Sequence, residues 1–137
     1  MKIRGAVTAI VILFSAVIAA PSHAASPVIG IAYDIGGRGD RSFNDAAAAG
    51  LEKASKQFSF TVQPVVTDGT TTDRNQRVRS LIAKNCNPII LVGAGYAPLI
   101  QALAVEFPNT QFAILNDASI DALNVTSLIF ADTQGAY

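Results

Sequence analysis

The sequence predicts an α/β protein built on a doubly wound parallel sheet with strand order 2-1-3-4-5, and three observations lead to it. Short apolar runs at residues 28–33, 88–92 and 111–115 alternate with longer segments whose apolar residues recur at helical spacing. The connections between them are short, which suits strand–helix–strand units with right-handed crossovers. Those three runs end in polar or glycine-bearing turns, at residues 34–44, 93–96 and 116–117. In an open α/β sheet such turns gather at the carboxyl ends of the strands, where small ligands bind.

Taken in order, residues 28–33 are apolar throughout, as a strand covered on both faces should be. Ser42 followed three residues later by Asp45 has capping-box spacing and starts a helix at Phe43. That helix runs to about Gln57, with Ala47, Leu51 and Ala54 on its apolar side and Asp45, Glu52, Lys53, Lys56 and Gln57 toward water. Residues 58–66 read as a second strand interrupted near Pro64. Asp73 and Gln76 repeat the capping spacing and predict a helix from Arg74 to about Lys84, burying Val78, Leu81 and Ile82, with Asn85 ending it in the left-handed region.

The third strand is 88–92, followed by the turn Gly93-Ala94-Gly95-Tyr96 and a helix over 97–107 that tolerates Pro98 in its first turn. A fourth strand over 111–115 runs into Asn116-Asp117, and residues 121–124 turn into a fifth strand over 125–131. Residues 132–137 open another helix, so the sheet is expected to be incomplete, with its far edge exposed.

Residues 1–24 read as an export signal: Lys2 and Arg4, an apolar run over 6–20, then Ser22-His23-Ala24 as a small-x-small cleavage site. The apolar run is shorter than the roughly 20 residues of a spanning helix. Cleavage leaves eight basic against ten acidic residues, a net charge of about −2. Nucleic-acid binding, which calls for a clustered basic face, is not expected. Cleavage also removes His23, the sole histidine, which argues against imidazole catalysis and most zinc sites. The single cysteine, Cys86, reads as a small apolar filler.

At the first turn, Asp34, Phe43 and Asn44 would face one crevice, offering a carboxylate, an aromatic face and an amide to a flat polar ligand. The pattern D-x-G-G-x-x-D-x-S-F-N, carried by Asp34, Gly36, Gly37, Asp40, Ser42, Phe43 and Asn44, resembles the basic membrane protein family, the purine-nucleoside receptors of bacterial ABC importers. The resemblance implies a two-lobed receptor of the periplasmic binding protein type 1 class, of which residues 25–137 form a truncated N-terminal lobe. It implies a nucleoside held between the lobes, an ABC permease as partner, a monomer when complete, and neither cofactor, metal nor catalytic residue. The positions it implies for ligand binding are Asp34, Phe43, Asn44, Gly93, Tyr96 and Asp117, with the backbone near Gly95 approaching the sugar. Family members are often lipoproteins, but no cysteine stands near residue 24. The expected localisation is therefore periplasmic or extracellular, not lipid-anchored, with membrane contact only through the permease.

Purely structural roles compete with these. Asp34 can hold its own turn, Phe43 can be core, Asp40 can order the glycine loop and Tyr96 can pack beneath its turn. Gly37-x-Gly39-x-x-Ser42 imitates a dinucleotide fingerprint but lacks the third glycine and the acidic residue that closes the second strand. Arg38-Gly39-Asp40 matches an adhesion tripeptide by letters alone. Two other functions stay open: a nucleoside-processing enzyme using Asp34, Asp40 and Asp45 around a hard cation such as Ca²⁺, and a sensory or surface binding protein of the same fold without transport.

Overall fold

A computed structural model describes residues 26–131. Its elements are β1 (Val28–Tyr33), α1 (Phe43–Ser55), β2 (Thr61–Val66), α2 (Thr71–Ala83), β3 (Ile89–Val92), α3 (Ala97–Glu106), β4 (Phe112–Leu115) and β5 (Val125–Leu128). A single 3-10 turn, Ala94–Tyr96, leads into α3. The five strands form one sheet in the order β2-β1-β3-β4-β5, and every pairing is parallel. The expected leader over 1–24 and the expected helix over 132–137 lie outside the described residues.

Alternation along β1 explains why helices cover both faces. Ile31 and Tyr33 point to one side and pack with Ala48 of α1 and with Val92. Ala32 points to the other, where Val78 and Leu81 of α2, Leu99, Ile100 and Leu103 of α3, and Ile89, Leu91, Phe112 and Ile114 form the larger core. Cys86 is buried in that core as an apolar filler, and burial pushes its thiol up.

Several boundaries differ from expectation, each for a local reason. β2 begins at Thr61, leaving Phe58 exposed, and Pro64 lies within it opposite Ile31. An edge strand needs no donor on its outer side, so the proline interrupts nothing. β5 ends at Leu128, short of Ala131. α2 starts three residues early because Thr70, not Asp73, is its N-cap: the Thr70 hydroxyl accepts the Asp73 N–H at 3.1 Å. Its C-terminus follows the sequence, with Asn85 at φ 57, the Asn85 N–H on the Ile82 carbonyl and the Cys86 N–H on that of Leu81.

The N-terminus of α1 shows a division of labour that capping-box spacing does not reveal. Ser42 sits at the N-cap position without a side-chain cap bond. Asp40 caps instead, accepting the N–H groups of Ser42 at 2.9 Å, Asp45 at 3.1 Å and Asn44 at 3.2 Å. Asp45 reaches back to the N–H groups of Gly39 and Arg41 at 2.7 and 2.9 Å, holding Arg41 at φ 53. In the β2–α2 loop, Asp73 accepts the Asp68 N–H at 3.0 Å and the Thr67 hydroxyl at 2.8 Å.

These bonds set an acid limit. Partial desolvation would raise the Asp40 carboxyl, but the N–H groups of Ser42, Asp45 and Asn44 outweigh it and hold it below 3.8. The Asp68 N–H, then the Thr67 hydroxyl, hold Asp73 below 3.8 as well. A carboxyl depressed in the folded state contributes stability above its unfolded pKa and loses it as pH falls through the folded value. The thermal midpoint is expected to stay level from neutrality to about pH 5 and to fall below about pH 4. Asp40→Asn should flatten that fall when the midpoint is measured across the acid range.

Candidate functional site

Parallel register puts the strand ends in line. Ala32 lies opposite Leu91, Leu91 opposite Ile114, and Ile114 opposite Ser127. Two residues further along the first three strands come Asp34, Gly93 and Asn116, with Asp117 next. Asp34 and Asn116 are thus two strand spacings apart, about 10 Å.

Asn44 builds the first turn. It is almost completely buried at the start of α1, where its side-chain oxygen accepts the Asp34 N–H at 2.9 Å and its amide donates to the Asp34 carbonyl at 3.4 Å. The turn closes through the Gly37 N–H on the same carbonyl at 3.0 Å. This differs from an Asn44 that bonds a ligand: its amide is committed to backbone. Phe43, its neighbour, is 41% exposed and meets the ring of Phe130 at 5.7 Å between centroids, tilted by 47°.

Asp34 is joined to a residue of α2. Oδ1 of Asp34 accepts from an Arg74 guanidinium nitrogen at 2.6 Å, and the other terminal nitrogen donates to the Gly69 carbonyl. The Arg74 guanidinium carbon lies 5.4 Å from the centre of the Tyr96 ring. Oδ2 of Asp34 faces Gly93, whose φ is 104 and whose missing Cβ would lie 3.0 Å from that oxygen.

Of the two expectations for Tyr96 the structure shows packing beneath its turn, whereas Gly95 meets a neighbour that the sequence does not reveal. Tyr96 is fully buried and donates its hydroxyl to the Tyr33 carbonyl at 2.8 Å, so it forms the floor beneath the turn and shows no face to the crevice. Burial, reinforced by the Asp34 charge, pushes its phenol far up. A Cβ on Gly95 would come within 2.7 Å of the Arg74 guanidinium, so the missing side chain makes room for that arginine. At the third turn Oδ1 of Asp117 accepts both the hydroxyl and the N–H of Ser119, at 2.6 and 2.8 Å. The Ser119 hydroxyl, then its N–H, hold the Asp117 carboxyl below its ordinary value.

Register and contacts therefore bring Asp34, Phe43, Asn44 and Gly93 to the end of β1, with Asp117 two strands away. The aspartates of the cation alternative are each committed elsewhere: Asp34 to Arg74, Asp40 to the start of α1, Asp45 to the glycine loop. Among the described residues no group of three His, Cys, Asp or Glu side chains is placed to hold a metal ion. A recess of about 220 Å³ between α1 and β2, lined by Tyr33, Arg38, Glu52 and Pro64 among others, lies on the flank and not at the strand ends. Sequence reasoning missed Arg74 and Phe130. The first had a signal, a cation in a helix's opening turn; the second had none.

Comparison with known proteins bears on the fold and the family. A lipoprotein of Pyrococcus abyssi is 27% identical over 110 residues, covering 79% of this chain and 27% of its own length. The ABC transporter nucleoside-binding protein BmpA of Lactococcus lactis is 30% identical over 145 residues, covering 96% of this chain and 41% of that protein. A solved ABC solute-binding protein of Aeropyrum pernix superposes with a TM-score of 0.67 at 25% identity, over 74% of this chain and 28% of its own. The chain thus spans between 22% and 41% of the length of the curated relatives it matches.

The expectation that the protein is not lipid-anchored does not survive this comparison, because the matching proteins of P. abyssi, P. furiosus and P. horikoshii are lipoproteins by name. That expectation rested on one missing residue type in a stretch outside the described structure. Residues 28–137 match the model of the Bmp family, and the chain belongs to that family of PnrA-like ABC transporter substrate-binding proteins.

Proposed function

We propose that this protein is the solute-binding component of an ABC importer and that it captures a nucleoside, foremost a purine nucleoside, at the carboxyl ends of β1, β3 and β4. Phe43 stacks on the base and Oδ2 of Asp34 accepts from its polar rim. Gly93 lets the ligand approach the backbone, and Asp117 accepts from ribose hydroxyls. Asn44 fixes the Asp34 turn, and Tyr96 supports it from below. Residues 25–137 form the first part of one lobe, and a second lobe supplies the opposing wall. Closure of the two around the ligand gives the form that a permease reads.

The observation that carries this reading is the part-exposed ring of Phe43, next in sequence to Asn44, whose amide holds the Asp34 turn. An aromatic face next to an anchored acceptor suits a flat heterocycle bearing N–H groups. The L. lactis relative, nucleoside-binding by name, supports the same class. The test is calorimetric titration of the mature full-length protein with inosine, guanosine and adenosine, with ribose as control. Saturable binding of at least one nucleoside is expected, weakened about tenfold or more in Phe43→Ala because base–aromatic stacking is worth about 1–3 kcal/mol. Absence of heat with every nucleoside would sink the proposal.

A further inference from the structure

We infer that Arg74 sets the charge of the ligand crevice: by holding one oxygen of Asp34 it makes the carboxylate half of a net-neutral pair whose other oxygen remains an acceptor, so the site favours neutral nucleosides over cationic ones. The inference rests on the nucleoside reading above and concerns a residue that lies behind the crevice and acts through Asp34.

Four observations converge on it. Arg74 stands in the first turn of α2, where a cation opposes the helix dipole, so its presence does not serve that helix. Its side chain is 12% exposed against 36% for Asp34, which puts the guanidinium behind and the carboxylate in front. Its Nε is buried without a partner among the described residues, a cost borne while the two terminal nitrogens reach Asp34 and the Gly69 carbonyl. Finally, the guanidinium is shaped into place, lying over the Tyr96 ring and against Gly95, where a Cβ would collide with it.

The neighbouring acid does not share this cation. Asp73 is taken by Thr67, Asp68 and Arg77, which leaves Asp34 as the carboxylate that Arg74 pairs with. A bare Asp34 would attract any positively charged heterocycle. Paired with Arg74, it still accepts a hydrogen bond, but repulsion from the guanidinium behind it offsets much of its attraction for a cation.

The test titrates the mature full-length protein with guanosine and with 7-methylguanosine in mildly acidic solution, where the methylated ring is cationic. In Arg74→Met, which fills similar space without charge, the guanosine-to-7-methylguanosine affinity ratio is expected to fall about tenfold. Arg74→Lys should restore most of the ratio because it restores the charge. Asp34→Asn, which keeps Arg74 and removes its partner, should raise the ratio, and it provides the answer if Arg74→Met does not fold by thermal unfolding. Equal losses for both ligands in Arg74→Met, or an unchanged ratio in Asp34→Asn, would overturn the inference and leave the nucleoside reading intact. A wild-type protein that binds neither ligand would overturn both.

Discussion

Asn44→Leu is expected to lower the unfolding free energy by about 3 kcal/mol, because a side chain of similar size leaves the Asp34 N–H buried without its acceptor and the Asp34 carbonyl without one of its donors. Asn44 is 2% exposed, so water does not readily replace the lost amide. The loss should appear in urea unfolding as a lower midpoint at constant slope. Nucleoside affinity should fall as well, since the Asp34 turn is what Asn44 holds. A stability change below about 1 kcal/mol would mean that the turn is set by its glycines and not by this amide.

Gly93→Val is the second large effect, again about 3 kcal/mol. At φ 104 and ψ 150 the backbone lies in a region essentially restricted to glycine, so a β-branched residue brings strain of about 1–3 kcal/mol. The new Cβ would also press on Oδ2 of Asp34 at 3.0 Å. Gly36→Ala separates the two causes, because Gly36 has φ 87 and an added Cβ there meets nothing within 4 Å. Gly36→Ala should therefore cost stability alone, whereas Gly93→Val should also displace Asp34 and reduce binding. Equal effects of the two on affinity would show that contact with Asp34 is irrelevant.

Much of the fold was legible because its signals are local. The apolar runs of β1 and β3, the helical spacing of Ala47 and Leu51, and Asn85 as a left-handed stop all depend on neighbours within a few residues. Even the strand order followed, because alternation of strand and helix leaves few ways to cover both faces of a sheet. The helix caps were misassigned for one reason, which moved the start of α2 but left that of α1 at Phe43. At both α1 and α2, side chains before the assumed cap, Asp40 and Thr70, took the backbone donors, and spacing alone does not show which of several competing acceptors wins.

The binding edge divides in the same way. Residue order alone was enough to put Asp34, Gly93 and Asp117 after successive strands, since parallel register carries positions along a chain into positions along an edge. What those side chains do there depended on contacts between distant segments. The Asp34–Arg74 pair joins residues 40 apart in the chain, and the Tyr96 hydroxyl meets the Tyr33 carbonyl across 63. Whether an amide faces a ligand or a backbone, and whether a carboxylate is bare or paired, is settled by what packs against it in three dimensions. Periodicity carries no record of that, because it reports which face a residue occupies and not what meets it there.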